Sequence, residues 1–372
     1  MWLGVAKVRR KSLGVRRLHT DSTMGIAADT KSPMTNQGPA RDPKASALAG
    51  KRAWVITPGM AGMDVQAKAV AEALGLDYEV KHVAPRGIWK LLAPWGPVAP
   101  SERFGEPGSQ FAPPWPDVAI ALGRRSAPYM RALRRLAGRS TFTLMMQDTK
   151  AGLSIADVIW VNEHDRLRGP NVITTLTSPH GFAPARLAAS RQTMPPEIAA
   201  LPAPRGALIV RGKNAVYRFT QADDERFAGA LESLGRLGVS FLITTSRRTH
   251  AALRAVVDEA TRPFPRLFWD GTGHNPYGDF LAHADLFVVT ADSVNMTGET
   301  SATGKPVLVF TPSGGSAKFR RFHAALEAHG ATRPLPERLE ELPSWTYEPL
   351  NSVEDLAREV ERRWLLHAGR RE

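Results

Sequence analysis

The chain has 372 residues and a net charge of +13, long enough for two domains of about 150 residues each with a tail. It contains no cysteine, which excludes disulfides, thiolate metal sites and thiol nucleophiles, and no apolar run of about 18 residues, which excludes a membrane-spanning helix. The positive charge predicts an anionic partner such as a nucleotide or an anionic lipid surface. Nucleic acid is not expected, because the basic residues are not interleaved with an aromatic motif.

The charge is concentrated at the start. Residues 1–50 carry nine Lys or Arg against three Asp and show no sustained period, the composition of a disordered basic extension. Met1 to Thr20 holds six cations and no acid. That fits a transit peptide, a basic arm adhering to anionic lipid, or an extension upstream of a start at Met24.

The folded pattern begins at Arg52. Ala53 to Ile56 reads as a strand, followed by a loop with Gly59 and Gly62, then a helix with Gln66 in its first turn and apolar residues at 65, 69, 70 and 74. Glycines let a ligand approach the backbone, so this turn is a candidate sugar or phosphate cradle. Tyr78 to Val83 is a second strand. A stretch from Pro85 to Pro116, with tryptophans at 89, 95 and 115, reads as loop with short helices, either a local hydrophobic clamp or a cover on the acceptor side. Strands at 117–122, 142–146, 157–161 and 172–175 follow, with a basic helix from Ala127 to Leu136. These strands end in ionisable residues, as expected where a site lies at the carboxyl edge of a parallel sheet. Asp148, His164 and His180, with Asp165 beside them, are the candidate bases for deprotonating an acceptor hydroxyl.

Five prolines between 184 and 205 mark a connection, after which the pattern restarts. Ala207 to Val210 is a strand leading to Gly212 and Lys213; Val239 to Thr244 is a strand leading to Ser246 and Arg247; Arg266 to Trp269 is a strand leading to a glycine-containing loop. Then come Leu286 to Val289, the loop with Ser293, Asn295 and Met296, a helix with Glu299, and Gly304-Lys305-Pro306 opening the strand Val307 to Phe310. Loops carrying glycine, hydroxyl and cationic groups converge on one sheet edge, which suits a diphosphate. A carboxylate at Glu299 could accept from both hydroxyls of a ribose. The last helix, from Ser352 to Leu366, has Ser352 as N-cap and Glu354 and Asp355 in its first turn.

The order strand, Asp-Ser-x-Asn-Met loop, Glu299, Gly-Lys-Pro resembles the donor half of GT-B glycosyltransferases. Together, Gly59-x-x-Gly62 with Gln66, Met146-Gln147-Asp148, Glu163-His164-Asp165 with Asn171-Val172, Gly212-Lys213, and Asp292-Ser293-x-x-Met296-x-x-Glu299 before Gly304-Lys305-Pro306 resemble the mitochondrial-fission "elongated mitochondria" family, over roughly residues 52 to 365. The chain departs from that family's pattern at Met63-Asp64, where a small-residue/His and Asn pair is expected, and at Thr149-Lys150, where Pro-Arg is usual.

The resemblance implies an α/β fold of two Rossmann-like domains with parallel sheets facing across a cleft. The expected divisions are a basic extension at 1–50, an acceptor domain at 51–195, a linker at 196–205, a nucleotide-binding domain at 206–335, and a segment at 336–372 whose helix returns to the first domain. It implies metal-independent transfer of a sugar from a nucleoside-diphosphate donor to a cell-envelope or lipid-linked acceptor. Lys213, Arg247 and Lys318 would stabilise the leaving diphosphate, and no cofactor is needed beyond the nucleotide-sugar substrate. A nucleotide-sugar epimerase of the same fold and a non-catalytic, membrane-peripheral fission or scaffold protein are the alternatives. The expected location is cytoplasmic, peripheral at the inner membrane, or mitochondrial if the first residues are a transit peptide.

Overall fold

Apolar runs with no polar face must be strands covered on both sides. The computed structural model, which describes residues 46–246 and 248–369, builds two sheets of this kind. The first contains β1 (Arg52–Thr57), β2 (Asp77–His82), β3 (Val118–Leu122), β4 (Phe142–Met146), β5 (Val158–Asn162) and β6 (Val172–Thr175), all parallel, in the order β2-β1-β3-β4-β5-β6. The second contains β7 (Arg205–Val210), β8 (Ser240–Thr245), β9 (Arg266–Phe268), β10 (Leu286–Thr290), β11 (Val307–Phe310) and β12 (Thr332–Pro334), also parallel, in the order β12-β11-β10-β7-β8-β9.

The helices are α1 (Ala61–Ala73), α2 (Gly87–Leu92), α3 (Ala127–Ala137), α4 (Pro184–Ser190), α5 (Pro196–Ala199), α6 (Gln221–Arg236), α7 (Ala251–Thr261), α8 (Tyr277–His283), α9 (Val294–Ser301), α10 (Ala317–His329) and α11 (Ser352–Ala368). Successive strand residues point to opposite faces, so each sheet feeds two cores. Val55, Ile120, Leu144 and Trp160 pack with α1 and with Val353, Leu356 and Val360 of α11, while Ile56, Ala121 and Met145 pack with Tyr129, Met130 and Leu133 of α3. In the second sheet Leu208, Phe241 and Val288 meet Phe227 and Leu231 of α6 and Val257 of α7. Ile209, Phe287 and Val289 meet Leu187 of α4, Ile198 of α5 and Phe280 of α8. Each fully buried Leu or Phe contributes roughly 1.5–3 kcal/mol, which explains why two double-sided sheets hold without a disulfide. This is the α/β class that the alternating pattern predicts.

Four features differ from the sequence reading or refine it. Residues 46–50, grouped there with the extension, pack onto the first core: Leu48 is fully buried and the Ser46 hydroxyl donates to Glu361 at 2.9 Å. The proline-rich connection holds the four-residue α5. β12 was not anticipated, because a three-residue edge strand ending in proline carries too short a pattern. The tryptophan-rich stretch acts partly as a clamp: Phe104 stacks on Phe111 at 4.8 Å between centroids, and Trp115 and Trp54 close round them.

Strand order fixes where loops meet. In the first sheet the winding direction reverses between β1 and β3, in the second between β7 and β10. At such a reversal adjacent loops diverge to opposite faces and leave a crevice at the carboxyl ends, where ligands of open α/β sheets bind.

Candidate functional site

At the reversal of the second sheet, the loop after β7 meets the loop after β10. Arg211 donates its backbone N–H to the Thr290 hydroxyl (3.1 Å) and its guanidinium Nη1 to the Asp292 carbonyl (2.8 Å). Gly212 has φ of +115°, and a Cβ there would lie 2.6 Å from the Arg248 carbonyl oxygen, so only glycine fits. The turn above it is tied down in turn. The Ser246 hydroxyl donates to the Arg211 carbonyl (2.9 Å), and the Thr249 hydroxyl lies 2.7 Å from the same oxygen. On the other side Gly314 and Gly315, both with positive φ, let the 313–316 loop close on Val216, with the Gly315 N–H donating to its carbonyl at 2.7 Å.

The loop after β10 ends in the N-cap of α9, where the Ser293 hydroxyl accepts from the Met296 N–H at 3.3 Å. Asp292 just before it is fully buried, and neither carboxylate oxygen has a hydrogen-bond partner. The Arg211 Nε stands 4.0 Å away. Burial pushes the Asp292 carboxyl up to about 6, opposed by the nearby Thr290 hydroxyl and Arg211. Glu299, in the second turn of α9, accepts from the Tyr277 hydroxyl of α8. Its carboxyl keeps some exposure but is ringed closely by protein atoms, and that desolvation raises its pKa against the Tyr277 hydrogen bond. The phenol is raised well above its usual value by the same burial and by the carboxylate. Tyr277 also walls a cavity of about 340 Å³ between α4 and α8, with Phe182, Arg186, Leu187, Asn275 and Asp279 around it. A carboxylate held by the phenol of a cavity-lining tyrosine, on a helix whose N-terminus follows a strand end, can receive a diol.

The structure therefore brings Gly212, Ser293, Met296 and Glu299 to one edge. Lys213 and Asn295 lie there with exposed side chains. Ser246 spends its hydroxyl on the loop beneath it, and Arg247 lies outside the described residues.

The candidate bases sit in different settings. His180, after β6, is buried with its ring against the Gly298 backbone of α9, and its Nδ1 accepts from the Phe182 N–H (3.3 Å). Burial lowers its pKa to about 4. His164 packs its ring on Phe322 of α10 at 5.3 Å, and its pKa is also lowered to about 4, first by burial and then by Lys318, Arg321 and His323. Around it α10 meets the loop after β5: Lys318 pairs with Asp165 at 2.6 Å, and Arg321 donates to the His164 carbonyl at 3.0 Å. Lys318 is thus engaged across this contact. Asp148 is closed on Lys150 through both backbone and side chain. At the first sheet's own reversal, Gly59 and Gly62 are exposed, and Gln66 is buried with its Oε1 unpaired. Asp64, the departure noted in the sequence, accepts from the Thr57 hydroxyl and pairs with His82 Nε2 at 3.0 Å.

Sequence reasoning missed Tyr277, Arg211 and the role of Asp292 itself. Tyr277 lies 22 residues from Glu299 and no local pattern links them. Arg211 and Asp292 could have been paired by recognising that a 3-2-1-4-5-6 strand order places the first and fourth strand ends side by side.

Fold and site define a two-sheet α/β protein with a candidate ligand crevice at the reversal of its second sheet. The chain belongs to the mitochondrial fission ELM1 family, whose model matches residues 61–364. The Arabidopsis thaliana mitochondrial fission protein ELM1 is 27% identical over 271 residues, 66% of this chain and 64% of that protein. An uncharacterised protein of Rickettsia prowazekii (strain Madrid E) is 29% identical over 156 residues, 41% of this chain and 44% of that one. The chain thus spans less than two thirds of the length of either curated relative. Among solved structures, the UDP-GlcNAc 2-epimerase from Methanocaldococcus jannaschii aligns over 84% of this chain and 99% of its own, at 10% identity and a TM-score of 0.49. MurG of Acinetobacter baumannii aligns over 86% and 94%, at 16% identity and 0.46. Similarity at this level does not bear on which reaction, if any, this chain performs.

Proposed function

We propose that the protein binds a nucleoside-diphosphate sugar and transfers the sugar to a cell-envelope or lipid-linked acceptor in the manner of a GT-B glycosyltransferase. The observation that carries this reading is the hydrogen bond from Tyr277, which lines the cavity, to Glu299 of the Ser293-capped helix α9. The carboxylate would take the ribose hydroxyls and the cavity the base. The α9 N-terminus, the Gly212 loop, Arg211 and Lys213 would face the diphosphate and stabilise its charge as the sugar leaves. Asp148 and His180 remain the candidate bases, and each would have to give up a present partner to act.

A second reading, a nucleotide-binding scaffold without turnover, is favoured by that same engagement. Asp148 is held by Lys150, and the lone pair of His180 is used by Phe182.

The test is a thermal-shift series with UDP, GDP, CMP, dTDP and their sugars on the wild type and Glu299→Gln. One nucleotide should stabilise the wild type, by about 2.7 kcal/mol at a hundred times its dissociation constant, and the variant should lose the shift. If no nucleotide shifts the wild type, the proposal fails. Turnover of the sugar without an acceptor would assign epimerisation instead, and binding without turnover would favour the scaffold.

A further inference from the structure

An apolar helix is expected to bury its apolar side chains against the body it grows from. α2 does not. Its sequence is Gly-Ile-Trp-Lys-Leu-Leu, and none of its residues is buried. Ile88 is 61% and Leu91 76% exposed, and Trp95, three residues beyond the helix, is 64% exposed. Phe104, Phe111 and Trp115 of the same stretch satisfy themselves in the aromatic clamp, so within residues 85–116 the exposed large apolar side chains are those of α2 and Trp95.

The tip is rigidly mounted. The Arg131 guanidinium donates to the carbonyls of Pro94, Trp95 and Gly96 at 2.9 to 3.1 Å, the Arg124 guanidinium lies 5.2 Å from the Trp95 ring, and the Trp95 indole N–H donates to the Lys150 carbonyl at 3.0 Å. Its surroundings are of one sign. Residues 83–101 and 123–137 hold seven Lys or Arg and no Asp or Glu. Arg86, Lys90, Arg125 and Arg135 are exposed there. The acids adjoining it are spoken for: Glu106 pairs with Arg103 at 2.7 Å, Glu102 accepts from the Tyr129 hydroxyl at 3.0 Å, Asp157 pairs with Arg134 at 2.8 Å and Asp148 pairs with Lys150.

We infer that α2 and Trp95 form a membrane-contact tip that inserts into an anionic lipid surface. Charge decides against a second copy, since two such faces would oppose like charges. A short apolar helix, a tryptophan at its base and cations behind it match the layering of a bilayer interface. There apolar side chains reach the acyl boundary, an indole sits at headgroup level, and Lys and Arg extend to phosphates. The tip also lies beside the 147–150 loop at the carboxyl edge of the first sheet, which would set the acceptor side of the crevice against the bilayer. The contact does not depend on sugar transfer, and its test does not use it.

The test uses the full chain with vesicles of phosphatidylcholine alone or with roughly a third phosphatidylglycerol. The protein is expected to co-float with the anionic vesicles, and lipid brominated in its acyl chains should quench its fluorescence. Trp89→Phe with Trp95→Phe, which removes both tryptophans of the tip, should lose that quenching. Ile88→Ser with Leu91→Ser, two exposed positions whose change leaves the melting temperature unaltered, should weaken partitioning by roughly tenfold or more. Failure of the wild type to bind anionic vesicles overturns the inference. So does undiminished, quenching-competent binding by the double variant, which would move the attachment elsewhere in the chain. Dissociation of a wild-type oligomer by the same double variant would also overturn it, making the face a contact between copies.

Discussion

The two carboxyl edges of this molecule are built on opposite plans. At the second sheet's reversal, the backbone is pinned from three sides, by Ser246 and Thr249 on the Arg211 carbonyl, by Arg211 on the Asp292 carbonyl and by the Gly314 turn on Val216. Yet the buried carboxylate of Asp292 has no close hydrogen bond, only the Arg211 Nε at 4.0 Å. At the first sheet's reversal, Gly59 and Gly62 of the loop after β1 face solvent, and the carboxylates there are partnered, Asp64 by Thr57 and His82 and Asp148 by Lys150. A rigid loop cage around an unsatisfied group is what a preorganised ligand site looks like before its ligand. An edge whose charges are mutually paired has to rearrange to bind anything. On the proposed function, the fixed part of recognition would fall to the second sheet and the adaptable part to the first.

Alanine at one glycine from each edge tests this most severely. Gly212→Ala places a methyl 2.6 Å from a backbone carbonyl at a φ of +115°, and neither the turn at 246–249 nor the loop can give way easily. A loss of about 3 kcal/mol is expected. Gly62→Ala has nothing within 4 Å of the new Cβ and lies in the first turn of α1. It should be neutral or add about 0.5–1 kcal/mol by restricting the unfolded chain. Denaturant unfolding of both variants measures the contrast. Equal costs at both positions would mean that the second edge is no more constrained than the first.

The edges should also titrate in opposite senses. His180, on the loop after β6, has its pKa lowered by burial to about 4. The unfolded chain then binds more protons between about pH 6.5 and 4, and stability falls as pH falls through that window, by roughly 3 kcal/mol at its lower end. His180→Gln should flatten this descent. Asp292 has its pKa raised by burial to about 6, so the native state binds more protons between about pH 4 and 6. Stability therefore rises as pH falls through 6, and at neutral pH the ionised carboxylate costs roughly 3 kcal/mol. Asp292→Asn should be more stable than wild type at about pH 7.5, with the gain fading by about pH 4. Melting curves across this range check both signs. A destabilised Asp292→Asn at neutral pH would show that the carboxylate is satisfied in solution.

What the sequence revealed and what it withheld follow from the range of the interactions. Strand runs such as Leu286 to Val289 and Val307 to Phe310 were legible because burial on both faces needs unbroken apolar residues, a local property. Thr220 as cap of α6 was legible too, and the structure adds its reciprocal partner Asp223. β12 was not, since its pairing with β11 is supplied by the neighbour rather than by its own three residues. Gly212, Ser293 and Glu299 could be placed at one edge from their strand ends alone. The engagement of Ser246 with a carbonyl 35 positions away, of Tyr277 with Glu299 and of Lys318 with Asp165 depends on packing between elements, which no spacing encodes. The exposure of α2 was hidden for the same reason. A tryptophan in this stretch reads identically whether it clamps a loop, as Trp115 does, or stands free of the core, as Trp95 does.

The smallest expected effect bears on where the edges touch. Lys318 reads in sequence as a diphosphate ligand, and in the fold it pairs with Asp165 while half exposed. An exposed pair of this kind is worth about 0–1 kcal/mol and is screened by salt. A double-mutant cycle of Lys318→Met and Asp165→Asn should therefore return a coupling below about 1 kcal/mol that shrinks as salt is added. The two roles for Lys318 separate at this point. If it serves only the contact between the loops, Lys318→Met leaves any nucleotide-induced thermal shift intact. If it turns to a diphosphate when one is bound, the cycle run with nucleotide present loses its coupling, because the lysine has left Asp165, and the shift falls in Lys318→Met alone. In that case the adaptable edge would reach its ligand through a cation borrowed from the rigid one, with Asp165 as its resting partner.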